Sequence, residues 1–351
     1  MFRTPRKATS FLFLAAAVGL FAVPRHSLGV ILYRSAQRNT SAPTGAFANS
    51  GWQWQGQFGA FLGTPIASQY FITAQHIGDA SVLSLNGTNY SIDSAFGGGH
   101  GYMNGPNSDL RIWKIQGSFP SWAPLYDANT DGTEIGRTMA VFGRGASRGD
   151  EIYAEVVSGG GNQGGGGTSG DIGGDNYHPG ELKGWRWANF DSVQSWGSNI
   201  VSGIFDTPDF GQVIGYDFDR NGLFDEGGLA AGDSGGGVFI QSNGAWKLAG
   251  INFGVDDPWS LSETGPGFDG SIFDAGGLYV GDGQNHWQFI PDQLQDIPGA
   301  SYSTRIASNL SWIRSIVGTG SSPDVPEPAT AGLMTVAGMT LALRRRRRPV
   351  I

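Results

Sequence analysis

Residues 232–254 read GDSGGGVFIQSNGAWKLAGINFG. The stretch divides into a tight glycine turn around Ser234 and a hairpin, Val238–Ile251, with Asn243-Gly244 at its bend. Asn-Gly between apolar runs is a strong short-range hairpin signal, because both residues tolerate positive φ. Three glycines, Gly235 to Gly237, followed by Val238-Phe239-Ile240 make a poor helix start and a good strand. The serine is therefore read as the end of a turn that feeds an antiparallel sheet.

Working outward, the same grammar repeats. Ser81–Asp93 places Leu83 and Leu85 before Asn86-Gly87, and Tyr90 and Ile92 after it, a second hairpin. Further strands are expected at Tyr70–Thr73, Leu110–Ile115, Thr138–Phe142, Ile152–Val157 and Val213–Tyr216. Many short strands separated by turn signals point to an all-β sandwich or barrel. One helix is expected, Ser303–Val317, where Ile306, Leu310, Ile313 and Val317 recur on one face. Ser303 would cap its start and Gly318 would end it. Residues 158–176 are a glycine-rich low-complexity loop.

Composition narrows the function. The chain has 351 residues, 58 of them Gly and none Cys, which excludes a disulfide framework, a thiolate nucleophile and Cys-ligated metal. A net charge of −8 argues against a nucleic-acid partner. Arg3, Arg6 and Lys7 precede the apolar run 11–23, so residues 1–29 read as an export signal. At the far end Val325-Pro326-Glu327-Pro328 is followed by an apolar stretch over 329–343 and by Arg344 to Arg348. These 27 residues, 325–351, resemble the PEP-CTERM sorting segment. The resemblance implies a Gram-negative bacterial protein, exported to the cell surface or medium, transiently membrane-associated through its tail and processed there by an exosortase. The two ends hold nine of the 22 basic residues and one of the 30 acids, which leaves 13 against 29, a net of −16. The body of the chain is thus strongly acidic.

Three stretches carry chemistry. Thr73-Ala74-Gln75-His76 places a histidine just after a strand, Asp109-Leu110 opens an alternating strand, and Gly232–Gly236 holds Ser234. In that order they resemble the trypsin-like (chymotrypsin-fold) serine peptidases. The resemblance spans about residues 59–317 and includes Tyr302-Ser303-Thr304-Arg305-Ile306 with Trp312-Ile313, similar to that family's closing helix. It implies two six-stranded antiparallel Greek-key barrels with a C-terminal α-helix, the first in 30–130 and the second in 131–317, with 318–324 a linker. It also implies an endopeptidase acting on a protein or peptide substrate without a required cofactor: Ser234 as nucleophile, His76 as base, Asp109 as its orienter, and the amides of Gly232 and Ser234 as oxyanion hole. Gly232-x-Ser234-x-Gly236 also suits the α/β-hydrolase elbow, with His286 as a late histidine, but that elbow needs a helix after the serine.

Finer expectations follow. Gly228, six residues before Ser234, would floor the specificity pocket, with Phe253 and Gly254 on its wall. An uncharged floor favours an apolar P1 residue, although Asp225 and Glu226 stand close in sequence. Asp217, Asp219, Asn221 and Asp225 follow a calcium-loop spacing around Gly222, a pattern that equally suits a solvated acidic turn. His100 and His178 lack companions at metal spacing. No Ile-Val-Gly-Gly activation sequence is present; Val30-Ile31 would have to supply the new ammonium that in the family pairs with the acid before the serine, here Asp233. The alternative function is a catalytically inactive member serving as a binding or matrix module.

Overall fold

The computed structural model describes residues 29–154, 180–190, 192–281 and 286–318. The export signal up to residue 28, the glycine-rich stretch 158–176, His178, the linker past Gly318 and the sorting tail 325–351 lie outside the described residues.

Two antiparallel seven-stranded sheets dominate. In the first the spatial order is Thr88–Ser91, Val82–Leu85, Gly56–Phe58, Phe61–Ala67, Tyr70–Ala74, Leu110–Lys114, Tyr102–Asn104. The sheet closes on itself, because Ile92 bridges Ile115 and the Gln116 amide donates to the Ser91 carbonyl at 2.8 Å. Thr88–Ser91 and Tyr102–Asn104 are therefore two pieces of one stave, interrupted by the glycine-rich excursion 93–101. Counted so, the barrel has six staves.

The second sheet runs Ser195–Ile200, Thr138–Gly143, Gly237–Ser242, Ala245–Val255, Ala300–Arg305, Gly211–Asp217, Gly203–Thr207. Ser195–Ile200 and Gly203–Thr207 again form one broken stave, joined where the Ser202 amide donates to the Gly215 carbonyl. Numbering the staves one to six along each barrel gives the same neighbours twice: one-two, two-three, three-six, six-five, five-four and four-one. In both, the fourth stave returns beside the first, which is the Greek key.

Strand periodicity explains how two barrels share a core. On Thr138–Gly143, Met139 and Val141 point into the second barrel beside Ile214, Val238 and Ile240, whereas Ala140 and Phe142 point out of it. On Tyr70–Ala74, Phe71 enters the first barrel against Phe58 and Trp113, while Ile72 and Ala74 face out. The outward sets meet. Ile72, Ala74, Leu110 and Ile112 pack with Phe142, Phe239, Leu248 and Ile251 in one buried cluster between the barrels. These strands are apolar on both faces, as elements buried on two sides must be.

Ile306–Val317 is the expected helix, and Ile306, Leu310 and Ile313 seal the same cluster. Ser303 is not its cap. It lies inside the strand Ala300–Arg305, buried, and its hydroxyl donates to Asn252 Oδ1 at 3.2 Å. Arg305 occupies the capping position without a side-chain capping bond, its guanidinium being turned to Glu134 and Gln212. Gly318, at φ +85°, ends the helix as expected.

A further sheet joins Ala146–Ala154, Glu181–Phe190 and Gly270–Ile272. It flanks the second barrel and packs Trp185 with Tyr33, Phe218 and Phe273. Arg148 lies 3.5 Å over the Trp185 ring and donates to the carbonyls of Leu32 and Tyr33. The N-terminal strand Ile31–Leu32 is thereby held on the second barrel, paired with Gly227–Gly228. Among the described residues no helix is long and apolar enough to cross a membrane.

Candidate active site

The strand Tyr70–Ala74 stops where Gln75–Ile77 makes a single tight turn, closed by Gly78 at φ +79°. Ala74 is in register with Leu110, so the residue before Leu110 lies beside the turn. The Gln75 amide donates to the Asp109 carbonyl at 2.7 Å, and the His76 amide to Asp109 Oδ1 at 3.0 Å. The other carboxylate oxygen, Oδ2, meets His76 Nδ1 at 2.6 Å. Asp109 is 3% exposed, whereas the His76 ring is 42% exposed. A carboxylate holding Nδ1–H leaves Nε2 as the free acceptor nitrogen. That nitrogen lies 2.8 Å from Ser234 Oγ.

Ser234 is delivered by a turn built on Asp233. The buried Asp233 carboxylate accepts from the Gly145 amide at 2.6 Å and the Ala230 amide at 2.8 Å. The Gly235 amide donates to the Asn252 carbonyl, and Asn252 Nδ2 reaches both the Asp233 carbonyl, at 2.9 Å, and the Phe142 carbonyl, at 2.7 Å. Gly232 sits at φ +94°, and a Cβ at Gly236 would lie 2.0 Å from the Phe142 carbonyl oxygen. The glycines are thus required by backbone conformation at one position and by close approach at the other. Among the described residues the amides of Gly232 and Ser234 donate to nothing. Two free backbone donors beside a serine hydroxyl can stabilise an oxyanion.

Beside Ser234 opens a cleft of about 180 Å³. Its lining includes Trp187, Leu229, Asn252, Phe253, Gly254 and Asp257. Phe253 also meets the His76 ring edge-to-face at 6.2 Å. Gly254 leaves open space where a side chain would stand. Gly228 is not on this lining. It sits behind Leu229 and Val255, on a second cavity of about 10 Å³ that those two residues wall off. The uncharged floor from which an apolar P1 was expected is therefore not the floor of the cleft. Asp225 and Glu226 do not reach it either: Asp225 accepts from Asn39 Nδ2, and Glu226 accepts from the Asp219 and Leu223 amides. Asp257, which sequence spacing did not single out, supplies the acid, and burial next to Asp269 and Asp256 pushes its carboxyl up to about 7.

The calcium-loop residues are not gathered into a cage. Asp217 accepts from Ser202, Asp225 accepts from Asn39, and the Glu226 carboxylate accepts from the Asp219 and Leu223 amides. Among the described residues the metal-like group of acids is a different one, Glu181, Asp274 and Asp292. Its centre is taken by the fully buried Lys183, whose Nζ lies 2.5 Å from Asp274, 3.1 Å from Glu181 and 3.3 Å from Asp292. An ammonium there does the charge-balancing that a metal otherwise would. His100 is exposed, with its ring against Tyr102, as a surface residue would be.

Compared by sequence, the chain matches no protein-family model and none of the curated proteins. Among solved structures it is similar to neuropsin, a serine protease expressed in the limbic system of mouse brain, with a TM-score of 0.39, 13% identity and 76% of this chain aligned to 96% of that one. It is also similar to the passenger domain of Plasmid encoded toxin, an autotransporter enterotoxin from enteroaggregative Escherichia coli, with a TM-score of 0.37 and 13% identity. That alignment spans 78% of this chain and 23% of the passenger domain. Neither likeness bears on which reaction this chain performs.

Proposed function

We propose that the chain is an exported serine endopeptidase. The observation that carries this reading is the unbroken hydrogen-bonded line from Asp109 through His76 to Ser234 at 2.6 and 2.8 Å. His76 Nε2 takes the Ser234 proton as Oγ attacks the substrate carbonyl, and returns it to the leaving amine. Asp109 keeps the ring in the tautomer that accepts and stabilises the imidazolium that forms. The Gly232 and Ser234 amides receive the oxyanion, each such donor being worth about 3–4 kcal/mol of barrier. Water then resolves the acyl-enzyme by the same proton route. Hydrolysis of an unfolded protein substrate such as casein should fall about 10⁵- to 10⁶-fold in Ser234→Ala. Equal turnover by both proteins would remove the reading.

Export and maturation belong to the same proposal. A chain cut ahead of Val30 would begin inside the second barrel, where Val30 is fully buried and Gly29 lies against Gly143, the residue whose other side faces the Asp233 carboxylate. A new ammonium at that end would have the Asp233 carboxylate within its neighbourhood. N-terminal sequencing of active protein tests this; a start well beyond residue 31 would remove it. An exosortase acting on the tail 325–351 completes the route.

A further inference from the structure

The acid that lines the cleft beside Ser234 comes from the loop after the strand Ala245–Val255, far in sequence from the position where sequence spacing sought one. Resting on the hydrolytic reading above, we infer that Asp257 is the counter-ion for a cationic side chain, lysine or arginine, on the substrate residue whose carbonyl Ser234 attacks.

Three observations converge. First, Asp257 and Ser234 line the same cleft. Second, among the described residues the Asp257 carboxyl makes no hydrogen bond and no ion pair, although its neighbour Asp256 is fully engaged by the Tyr302 hydroxyl and the Ala300 amide. A half-buried carboxylate without a partner is costly, and a substrate cation that enters the cleft removes that cost. Third, the rest of the lining is neutral. Trp187, Leu229 and Val255 offer an apolar sleeve, and the last two block the way to Gly228. Such a sleeve with one acid suits a methylene stem that ends in a charge.

The charged groups facing Asp257 are Asp256 and Asp269, both acids, which deepen the negative potential and disfavour its ionisation. With the carboxyl pushed up to about 7, the cleft is neutral well below that pH and anionic well above it. Preference for a cation over an apolar P1 residue should therefore strengthen as the pH rises from 6 to 8.5.

The test compares kcat/KM for two peptides that differ only in Arg or Leu at P1. Any effect of pH on the shared hydrolytic machinery slows both alike and cancels in their ratio. In wild type the Arg-to-Leu ratio should rise between pH 6 and pH 8.5. In Asp257→Asn it should be flat, and at pH 8.5 it should be about 10- to 100-fold below wild type. Asp257→Ser, checked for its thermal transition, stands in if the Asn variant fails to fold. A readout free of catalysis is benzamidine binding by calorimetry on Ser234→Ala, with and without Asp257→Asn: binding at pH 8.5 should be lost with the acid. An unchanged ratio in a folded variant, or equal benzamidine binding, overturns the inference. If neither peptide is cleaved, the hydrolytic reading fails while the calorimetry still decides the role of Asp257.

Discussion

Asn252 has a task that no backbone group near Ser234 can take. Fully buried, it donates to the Phe142 and Asp233 carbonyls through Nδ2, accepts from Ser303 through Oδ1, and uses its own carbonyl to receive the Gly235 amide. The Asn252 side chain thus adds to the ties that the Asp233 carboxylate makes between the serine turn and the barrel wall. Replacing it with alanine takes one hydrogen bond each from two buried carbonyls and a hydroxyl, although the Asp233 carbonyl keeps the Gly236 amide and Ser303 keeps the Tyr216 hydroxyl. Asn252→Ala should cost about 2–3 kcal/mol in denaturant unfolding, and kcat should fall with it because Ser234 loses its support. Unfolding at the wild-type midpoint would show that the turn holds itself. In sequence, Asn252 stands only as the neighbour of Phe253 and Gly254 on the expected pocket wall. Its bonding role depends on which strands flank it, and one residue does not announce that. His76, Asp109 and Ser234 were legible, because each sits at a strand end or tight turn marked by local residues: the alternation from Leu110, the glycines around Ser234, the short turn at Gln75.

At the scale of elements, the hairpins at Asn86-Gly87 and Asn243-Gly244 could be read directly, since a positive φ at both turn residues leaves a clear chemical mark. Asn86 and Asn243 adopt φ of 49° and 52°. The hairpin Gly56–Phe58 with Phe61–Ala67 leaves no mark that the sequence reading catches, and of the arm Ala146–Ala154 with Glu181–Phe190 only the end from Ile152 is legible there. The arm's pairing shifts register three times, between Ala146 and Arg148, between Arg148 and Glu151, and between Ile152 and Tyr153, so no simple alternation survives in it. Both broken staves have a related cause: an excursion inside a strand interrupts the pattern, yet the hydrogen bonds resume on the far side. Ser303 looked like a helix cap because serine before an apolar period usually is one. Here tertiary packing outbid that local preference and drew it into the sheet. The specificity pocket illustrates the same limit. Gly228 lies behind the cleft and not on its floor, because Leu229 and Val255 stand in front of it, and the direction of the loop carrying Asp257 is a property of the whole barrel.

At the scale of the whole molecule, an acidic chain has folded five described carboxyls, Asp219, Glu226, Asp233, Asp257 and Asp269, into poor solvent, three of them most strongly. Burial raises Asp233 and Asp257 from 3.8 to about 7, and Glu226 from 4.5 to about 7. Each therefore holds its proton in the folded state over a range where the unfolded chain has released it. Their contribution to stability is full below about pH 4 and is lost as the pH rises toward and through 7. Asp93, held low by its bond to Lys114, acts in the opposite sense and loses its contribution only as the pH falls below the ordinary carboxylate range. The melting temperature should accordingly decline from pH 5 to pH 8 at constant ionic strength. A rise over that interval would mean that the three acids are ionised and paired in solution. In a chain cut ahead of Val30 the decline should be smaller, because an ammonium reaching Asp233 would favour its charged form.

The account stands on Ser234 being a nucleophile made ready by His76 and Asp109. Labelling folded, processed protein with a fluorophosphonate probe, followed by peptide mass spectrometry, tests this most directly. The expected result is one adduct on Ser234, absent in Ser234→Ala and strongly slowed in His76→Ala; a folded wild-type protein that takes no label would contradict it.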